Sequence, residues 1–174
     1  IEDIERVSPE LSTFFDGMVL TAGSSGWLAE SYVREQDRLN GLVNYESVLL
    51  SLNESGMLEE PLYPVYPSDG IITADYPLML LDESRREAYE TLSDYLLTES
   101  FQREMMNLTL RRPVNTSVEV SPKIPRDVLF ELPFPTTLEV IDHLLFAYLD
   151  ETRKPSHAYF VLDVSGSMEG QRLF

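Results

Sequence analysis

The chain has 174 residues and a formal net charge of −17, from 30 acidic and 13 basic residues. This acidity disfavours binding to nucleic acid or to anionic membrane surfaces and favours cationic partners or metal ions. Its 43% hydrophobic content is enough for the core of an ordinary domain, and the absence of cysteine excludes disulfides and thiolate chemistry.

The amino-terminal part of the chain predicts two helices with a short strand between them. A serine followed by proline predicts a helix start at Ser8. Residues 18–22 form an apolar run of strand length, and a second helix follows Ser24 and Ser25. The start of this helix is a candidate anion-binding site, although helix capping alone also explains both serines.

The next stretch contains three more candidate ligand residues. Residues 42–52 are rich in Val, Leu and Tyr and predict a buried strand, with Tyr45 and Glu46 in its middle. A carboxylate there can meet a ligand amine or hinge backbone, or pair with an arginine on an open face. Asp69 lies in the sequence Pro-Ser-Asp-Gly, which is typical of a turn, and turn formation alone explains an aspartate there. In the functional interpretation, Asp69 lies at the mouth of a ligand-binding cleft.

Short strands and then helices are predicted for the rest of the chain. Prolines limit the strands to 62–66, 71–73 and 76–81, and Asp82 and Thr98 then cap two helices. Four prolines mark residues 119–136 as a linker. A capping box, Thr136-Thr-Leu-Glu139, starts a final helix that runs toward Pro155. This order of elements indicates an α/β protein.

A metal site is predicted near the end of the chain. The apolar run Tyr159–Leu162 is followed by Asp163, Ser165 and Ser167 at alternate positions, with Gly166 allowing the turn between them. One carboxylate and two hydroxyls are hard oxygen ligands, which suit Mg2+. Ser-Gly-Ser is also an ordinary polar turn, but the apolar run before it favours the metal site.

The sequence Asp163-Val-Ser-Gly-Ser-Met168 after an apolar strand resembles the first metal-coordinating loop of a von Willebrand factor A domain. The resemblance implies that Asp163, Ser165 and Ser167 bind Mg2+ or Mn2+. A threonine and an aspartate from later loops, and a carboxylate of a protein partner, would complete the shell. Since the chain ends at Phe174, we expect it to be a fragment of a longer polypeptide.

A second resemblance covers most of residues 8–118. In their order along the chain, several pieces are similar to the carboxy-terminal half of a bacterial extracellular solute-binding protein of the two-lobed type II periplasmic-binding class. They are Val43–Val48, Tyr63–Gly70, Tyr76–Leu81, the helix with Tyr95–Leu97 and Gln102, and Arg111–Pro113. This resemblance implies a small ligand in a cleft between two lobes, of which the chain holds only part.

Together the resemblances imply an α/β chain in three parts. Residues 1–118 are expected to form the carboxy-terminal half of the solute-binding-like domain and 119–136 the proline-containing linker. Residues 137–174 are expected to form the connecting helix and the start of the Rossmann-like von Willebrand A domain. The chain is similar to bacterial cell-envelope proteins that join these two domains, and the similarity includes the sequence Arg153-Lys-Pro155 at the end of the connecting helix. Such proteins are exported and often anchored.

The leading functional expectation is a non-enzymatic extracytoplasmic binding protein. Its solute-binding-like domain would contact a small ligand through Ser24, Ser25, Tyr45, Glu46 and Asp69, and its metal site would engage an unknown protein partner. The sequence has no pattern of a nucleophile with a base and no phosphate loop, so nothing in it argues for an enzyme. It also has no apolar run of about 20 residues that would argue for a membrane span.

Two alternatives remain open at this stage. The solute-binding-like lobe can be a structural or adhesion scaffold of the cell envelope that has lost its ligand. The Asp-x-Ser-x-Ser domain can instead belong to an intracellular metal-inserting or ATPase-coupled assembly, which a signal peptide on the parent gene would exclude.

Overall fold

The computed structural model describes residues 2–74, 76–126 and 130–155. Six α-helices lie in this part of the chain: α1 Glu2–Asp16, α2 Ser25–Arg34, α3 Glu46–Ser55, α4 Arg86–Leu96, α5 Glu99–Thr109 and α6 Leu138–Phe146. None of them is long and apolar enough to cross a membrane.

The chain divides into two compact units. The terminal unit combines Ile1–Met18 with Pro135–Phe174, and the central unit is Val19–Phe134. The α/β fold class stays a prediction, because the described residues pair as β-structure only at one isolated parallel bridge, between Ile71 and Glu131.

In the terminal unit, α1 begins earlier than the sequence predicts. The predicted start at Ser8 is wrong, because the helix begins at Glu2 and contains Pro9 in its interior. Proline removes one hydrogen bond of the helix ladder. Acidic residues in the first turn, including Glu2 and Asp3, favour the earlier start because they interact well with the positive end of the helix dipole.

The other helix of the terminal unit changes its winding. α6 continues into a π-helical turn, Ala147–Thr152, in which the Arg153 N–H donates to the Tyr148 carbonyl at 3.0 Å. The Tyr148 ring packs edge-on against Phe15 of α1, with 5.1 Å between centroids. The predicted helix is confirmed. Its N-cap is Thr137 rather than Thr136, and Thr137 makes no side-chain capping bond, so the predicted capping box is absent.

In the central unit, α3 replaces the strand predicted over 42–52, and that prediction is wrong. Tyr45 precedes the helix in an extended conformation and Glu46 is its first residue. Gly56 ends it in the left-handed region, with φ 70°. An apolar run of this length fits a buried strand or a helix equally well, and leucine is the better helix former.

The core of the central unit lies between α3, α5 and a later segment. Its buried members are Leu50 of α3, Met106 and Leu110 at the end of α5, Val118, and Ile124, which is 1% exposed. Ile124 belongs to the stretch expected to be a linker. The prolines of this stretch therefore shape an irregular segment that packs into the core.

The caps predicted for three helices are confirmed. Ser24 accepts a hydrogen bond from the Trp27 N–H, Asp82 from Ser84, and Thr98 from Phe101. The turn that Asp82 caps is a single 3-10 turn, Glu83–Arg85, which leads into α4. α2 ends at Arg34, because Glu35 leaves the helical region with φ −126°.

None of the strands predicted before α4 forms in the described residues, and Ile71 alone among them makes an isolated bridge. The Ile71 N–H donates to the Phe130 carbonyl, and the Leu132 N–H donates to the Ile71 carbonyl, both at 2.8 Å. Gly70 precedes this bridge with φ 139°, and a Cβ there would lie 2.6 Å from the Leu132 side chain. Glycine is therefore required by both conformation and space.

Candidate functional site

Glu46 and Arg112 form the most enclosed ion pair among the described residues. Arg112 donates from Nε to Glu46 Oε2 at 2.8 Å and from Nη2 to Glu46 Oε1 at 2.7 Å. The arginine side chain is 30% exposed and the carboxylate 20%. This two-pronged geometry matches the planes of the two groups and makes a strong, directional contact. Glu46 also lies at the start of α3, where the helix dipole favours its negative charge.

Two further groups complete a cluster around this pair. The Tyr66 hydroxyl donates to Glu46 Oε1 at 2.5 Å, and Arg112 Nη2 also donates to the Pro125 carbonyl at 2.8 Å. We call Glu46, Tyr66, Arg112 and Pro125 the arginine cluster. The cluster joins four segments. Glu46 lies at the start of α3, Tyr66 before the turn at 67–70, Arg112 after α5, and Pro125 next to the buried Ile124.

The pKa shifts in the arginine cluster match this geometry. Burial, followed by the hydrogen bond to Glu46, raises the pKa of Tyr66 from 10.0 to about 12. The hydrogen bond from Arg112 to Glu46 raises the pKa of the guanidinium. At neutral pH the cluster therefore holds a neutral phenol donor and a fully charged arginine around one carboxylate.

An exposed cation–π pair, Arg111 on the Tyr76 ring, adjoins the arginine cluster in sequence. The Arg111 guanidinium carbon lies 4.7 Å from the centre of the Tyr76 ring, and Arg111 Nη2 donates to the Tyr76 hydroxyl at 3.2 Å. This hydrogen bond lowers the pKa of Tyr76. Tyr45 and Tyr76 are 43% and 67% exposed. These side chains are available for contact, whereas Glu46 is not.

An open depression lies on the other side of Arg112. It has a volume of about 320 Å³ and is lined by Arg112, Glu119, Val120, Pro125 and Arg126. An ion pair crosses it, with Arg126 Nη2 3.8 Å from Glu119 Oε1. The two side chains are 74% and 86% exposed.

The five ligand residues predicted from sequence lie in different environments. Ser24 accepts the Trp27 N–H at 3.1 Å, and the Ser25 carbonyl accepts Asn44 Nδ2 at 2.9 Å. Asn44 thereby links the start of α2 to the residues just before α3. Tyr45 and Glu46 are consecutive there, but Tyr45 faces outward. Asp69 is exposed in its turn and makes no hydrogen bond with the other four in the described residues.

The predicted metal ligands Asp163, Ser165 and Ser167 lie outside the described residues. Their donor set of one carboxylate and two hydroxyls fits a hard divalent cation such as Mg2+. Within 2–74, 76–126 and 130–155, no three His, Cys, Asp or Glu side chains come together in an arrangement that could hold a metal ion.

Sequence reasoning identified Glu46 but not its partners. Arg112 lies 66 residues away and Tyr66 lies 20 away. The available signal was the alternative that Glu46 pairs with an arginine. Nothing local identifies which arginine pairs with it.

No protein-family model, curated protein or solved structure matches this chain.

Proposed function

We propose that this chain is part of an extracytoplasmic, non-enzymatic binding protein with two kinds of contact. Asp163, Ser165 and Ser167 hold Mg2+ or Mn2+ for a protein partner, and the central unit contacts a small solute. The observation that carries the proposal is the Asp-x-Ser-x-Ser pattern directly after the apolar run Tyr159–Leu162.

The chemistry of the metal contact follows from its ligands. Asp163 supplies the charge, and the hydroxyls of Ser165 and Ser167 supply neutral oxygens. Bound Mg2+ supplies a hard positive centre with positions open to water or to an external carboxylate. The net charge of −17 repels an acidic partner from the rest of the surface. Because the bound cation is positive, the metal site is the place where such a partner can bind.

A scaffold without a small ligand is the second candidate, and the arginine cluster favours it. Two of the five predicted ligand residues have side chains already bonded within the chain: Ser24 caps α2, and Glu46 is bound by Arg112 and Tyr66. Groups bonded in this way are poorly suited to receive a solute, because each bond must break first.

Calorimetric titration of Mg2+ and of Mn2+ into the full chain tests the metal contact. Millimolar or tighter binding is expected, with loss of the binding heat in Asp163→Ala. The matched control is Asp94→Ala, which removes an exposed carboxylate on α4 and should leave the heat unchanged. Equal heats for both variants would show non-specific binding to an acidic surface and would overturn the proposal.

A further inference from the structure

The depression beside Arg112 combines both signs of charge with apolar walls. Its walls include Val120 and Pro125, and its polar groups are Arg112, Arg126 and Glu119. A volume of about 320 Å³ falls at the lower end of the range of roughly 300–1,000 Å³ for small-molecule sites. The site therefore has room for a molecule of amino-acid size.

The local charge differs from that of the whole chain. Residues 105–126 include Arg111, Arg112, Lys123 and Arg126, but Glu119 is their only acidic residue, although the chain carries −17 overall. Lys123 pairs with Glu54 at 2.7 Å, and Arg111 stacks on Tyr76. Arg112 and Arg126 are the two cations that face the depression.

These two arginines differ in how they are held. The Nε and Nη2 atoms of Arg112 are occupied by Glu46 and Pro125, which leaves Nη1 as its remaining donor nitrogen. Its position is fixed by those bonds. Arg126 is held only weakly, since its only ion pair in the described residues is the long, exposed contact of 3.8 Å to Glu119. Exposed pairs of this kind contribute little and are readily displaced.

We propose that this depression binds a small zwitterion, such as an amino acid, between Arg112, Arg126 and Glu119. The carboxylate of the ligand binds Nη1 of Arg112 and the guanidinium of Arg126, and its ammonium group binds Glu119. An apolar side chain then contacts Val120 and Pro125. The proposal rests on the small-solute part of the proposed function and names the class of solute.

A titration of the full chain followed by backbone amide NMR tests this proposal at neutral pH. The probes are L-valine, isovalerate, which lacks the ammonium group, and isobutylammonium, which lacks the carboxylate. L-valine should shift the amide signals of Val120 and Arg126 saturably in the millimolar range. Each analogue should bind about threefold more weakly, because it loses one contact to a largely exposed charged group.

Variants identify the residues responsible. Arg126→Gln and Glu119→Gln should each weaken L-valine binding by about threefold, since each removes one contact of a largely exposed charged group. Arg103→Gln is the matched control, because Arg103 pairs with Glu99 on the exposed face of α5, does not line the depression and should not change binding. Amide spectra of each variant report whether the fold is kept.

Three results would overturn the proposal. They are the absence of a saturable shift with L-valine, equal binding of L-valine and isovalerate, and equal losses in Arg103→Gln and Arg126→Gln. The Mg2+ titration is independent of all three. Failure here with intact, Asp163-dependent metal binding removes the zwitterion and leaves the metal-dependent partner contact standing.

Discussion

The hydroxyl of Tyr66 donates to Glu46 Oε1 at 2.5 Å, on the same oxygen that receives Arg112 Nη2. One carboxylate thus holds a phenol and a guanidinium from two segments far apart in sequence. Because the pair is largely enclosed, removing either partner leaves a charge without compensation. The arginine cluster is therefore expected to matter for stability more than any surface ion pair of the chain.

Replacing Arg112 by methionine should destabilise the central unit by about 2 kcal/mol, because Glu46 stays partly buried with only Tyr66 as a partner. Urea unfolding of the full chain, followed by circular dichroism, measures the change. Arg103→Met removes an exposed surface pair with Glu99 and should change stability by less than about 0.5 kcal/mol. Equal effects of the two substitutions would contradict the structural role of Arg112.

Stability should decrease in strongly alkaline solution through the ionisation of Tyr66. Its pKa is raised from 10.0 to about 12, so the folded state keeps the phenol proton more tightly than the unfolded state does. The resulting stability is complete below pH 10 and is lost as the pH rises through about 12. Urea unfolding between these pH values should show a steeper loss for the native chain than for Tyr66→Phe.

The tyrosine absorbance provides a separate check of this assignment. Tyr76 is exposed and its pKa is lowered by the hydrogen bond from Arg111, so it should ionise before Tyr66. Tyr66→Phe should remove the last step of the tyrosinate titration, and Tyr76→Phe an earlier one. Loss of an early step in Tyr66→Phe would contradict the enclosed hydrogen bond to Glu46.

Gly70→Ala should destabilise the bridge between Ile71 and Glu131 by about 1–3 kcal/mol. The added Cβ would lie 2.6 Å from the Leu132 side chain, in a backbone conformation with φ 139°. Gly26→Ala is the control, because a Cβ there meets nothing within 4 Å and Gly26 lies in α2. This control should be neutral or stabilising by up to about 1 kcal/mol. Thermal unfolding compares them, and a harmless Gly70→Ala would refute the close packing at Leu132.

Ser24→Ala should cost about 1 kcal/mol of stability, because the Trp27 N–H loses its capping acceptor. Ser25→Ala should be nearly neutral, since only the backbone carbonyl of Ser25 takes part in the contact with Asn44. Urea unfolding distinguishes the two. Calorimetry with phosphate tests the alternative that this helix start is an anion-binding site. If both substitutions leave stability unchanged but abolish phosphate binding, that interpretation is correct and the capping interpretation fails.

The local features of the chain could be predicted from its sequence. Ser24, Asp82 and Thr98 were identified as caps because a cap depends on a polar side chain and the three residues after it. The strand predicted over 42–52 is wrong, because an apolar run of this length fits a helix as well, and its helix packs Leu50 into the core with Met106 of α5. Periodicity over so few residues does not contain that information.

Contacts between distant segments could not be predicted in the same way. The sequence interpretation left Glu46 a choice between a ligand, hinge backbone and an arginine, and only the three-dimensional arrangement selects Arg112 and Tyr66. The burial of Ile124 was missed for a related reason. Prolines predict an irregular backbone, but irregular segments can also pack, and their composition does not reveal what lies beneath them.

The burial of Ile124 affects how the folded chain meets a protease. Lys123 offers a trypsin-like enzyme a basic residue in a proline-rich stretch, which is an ordinary site of cleavage between domains. Its ammonium group is held by Glu54 at 2.7 Å, and the next residue is anchored in the core beside Leu50 and Val118. The bond after Lys123 can therefore be cut only when the core opens, and the rate of cleavage there reports the opening of the central unit.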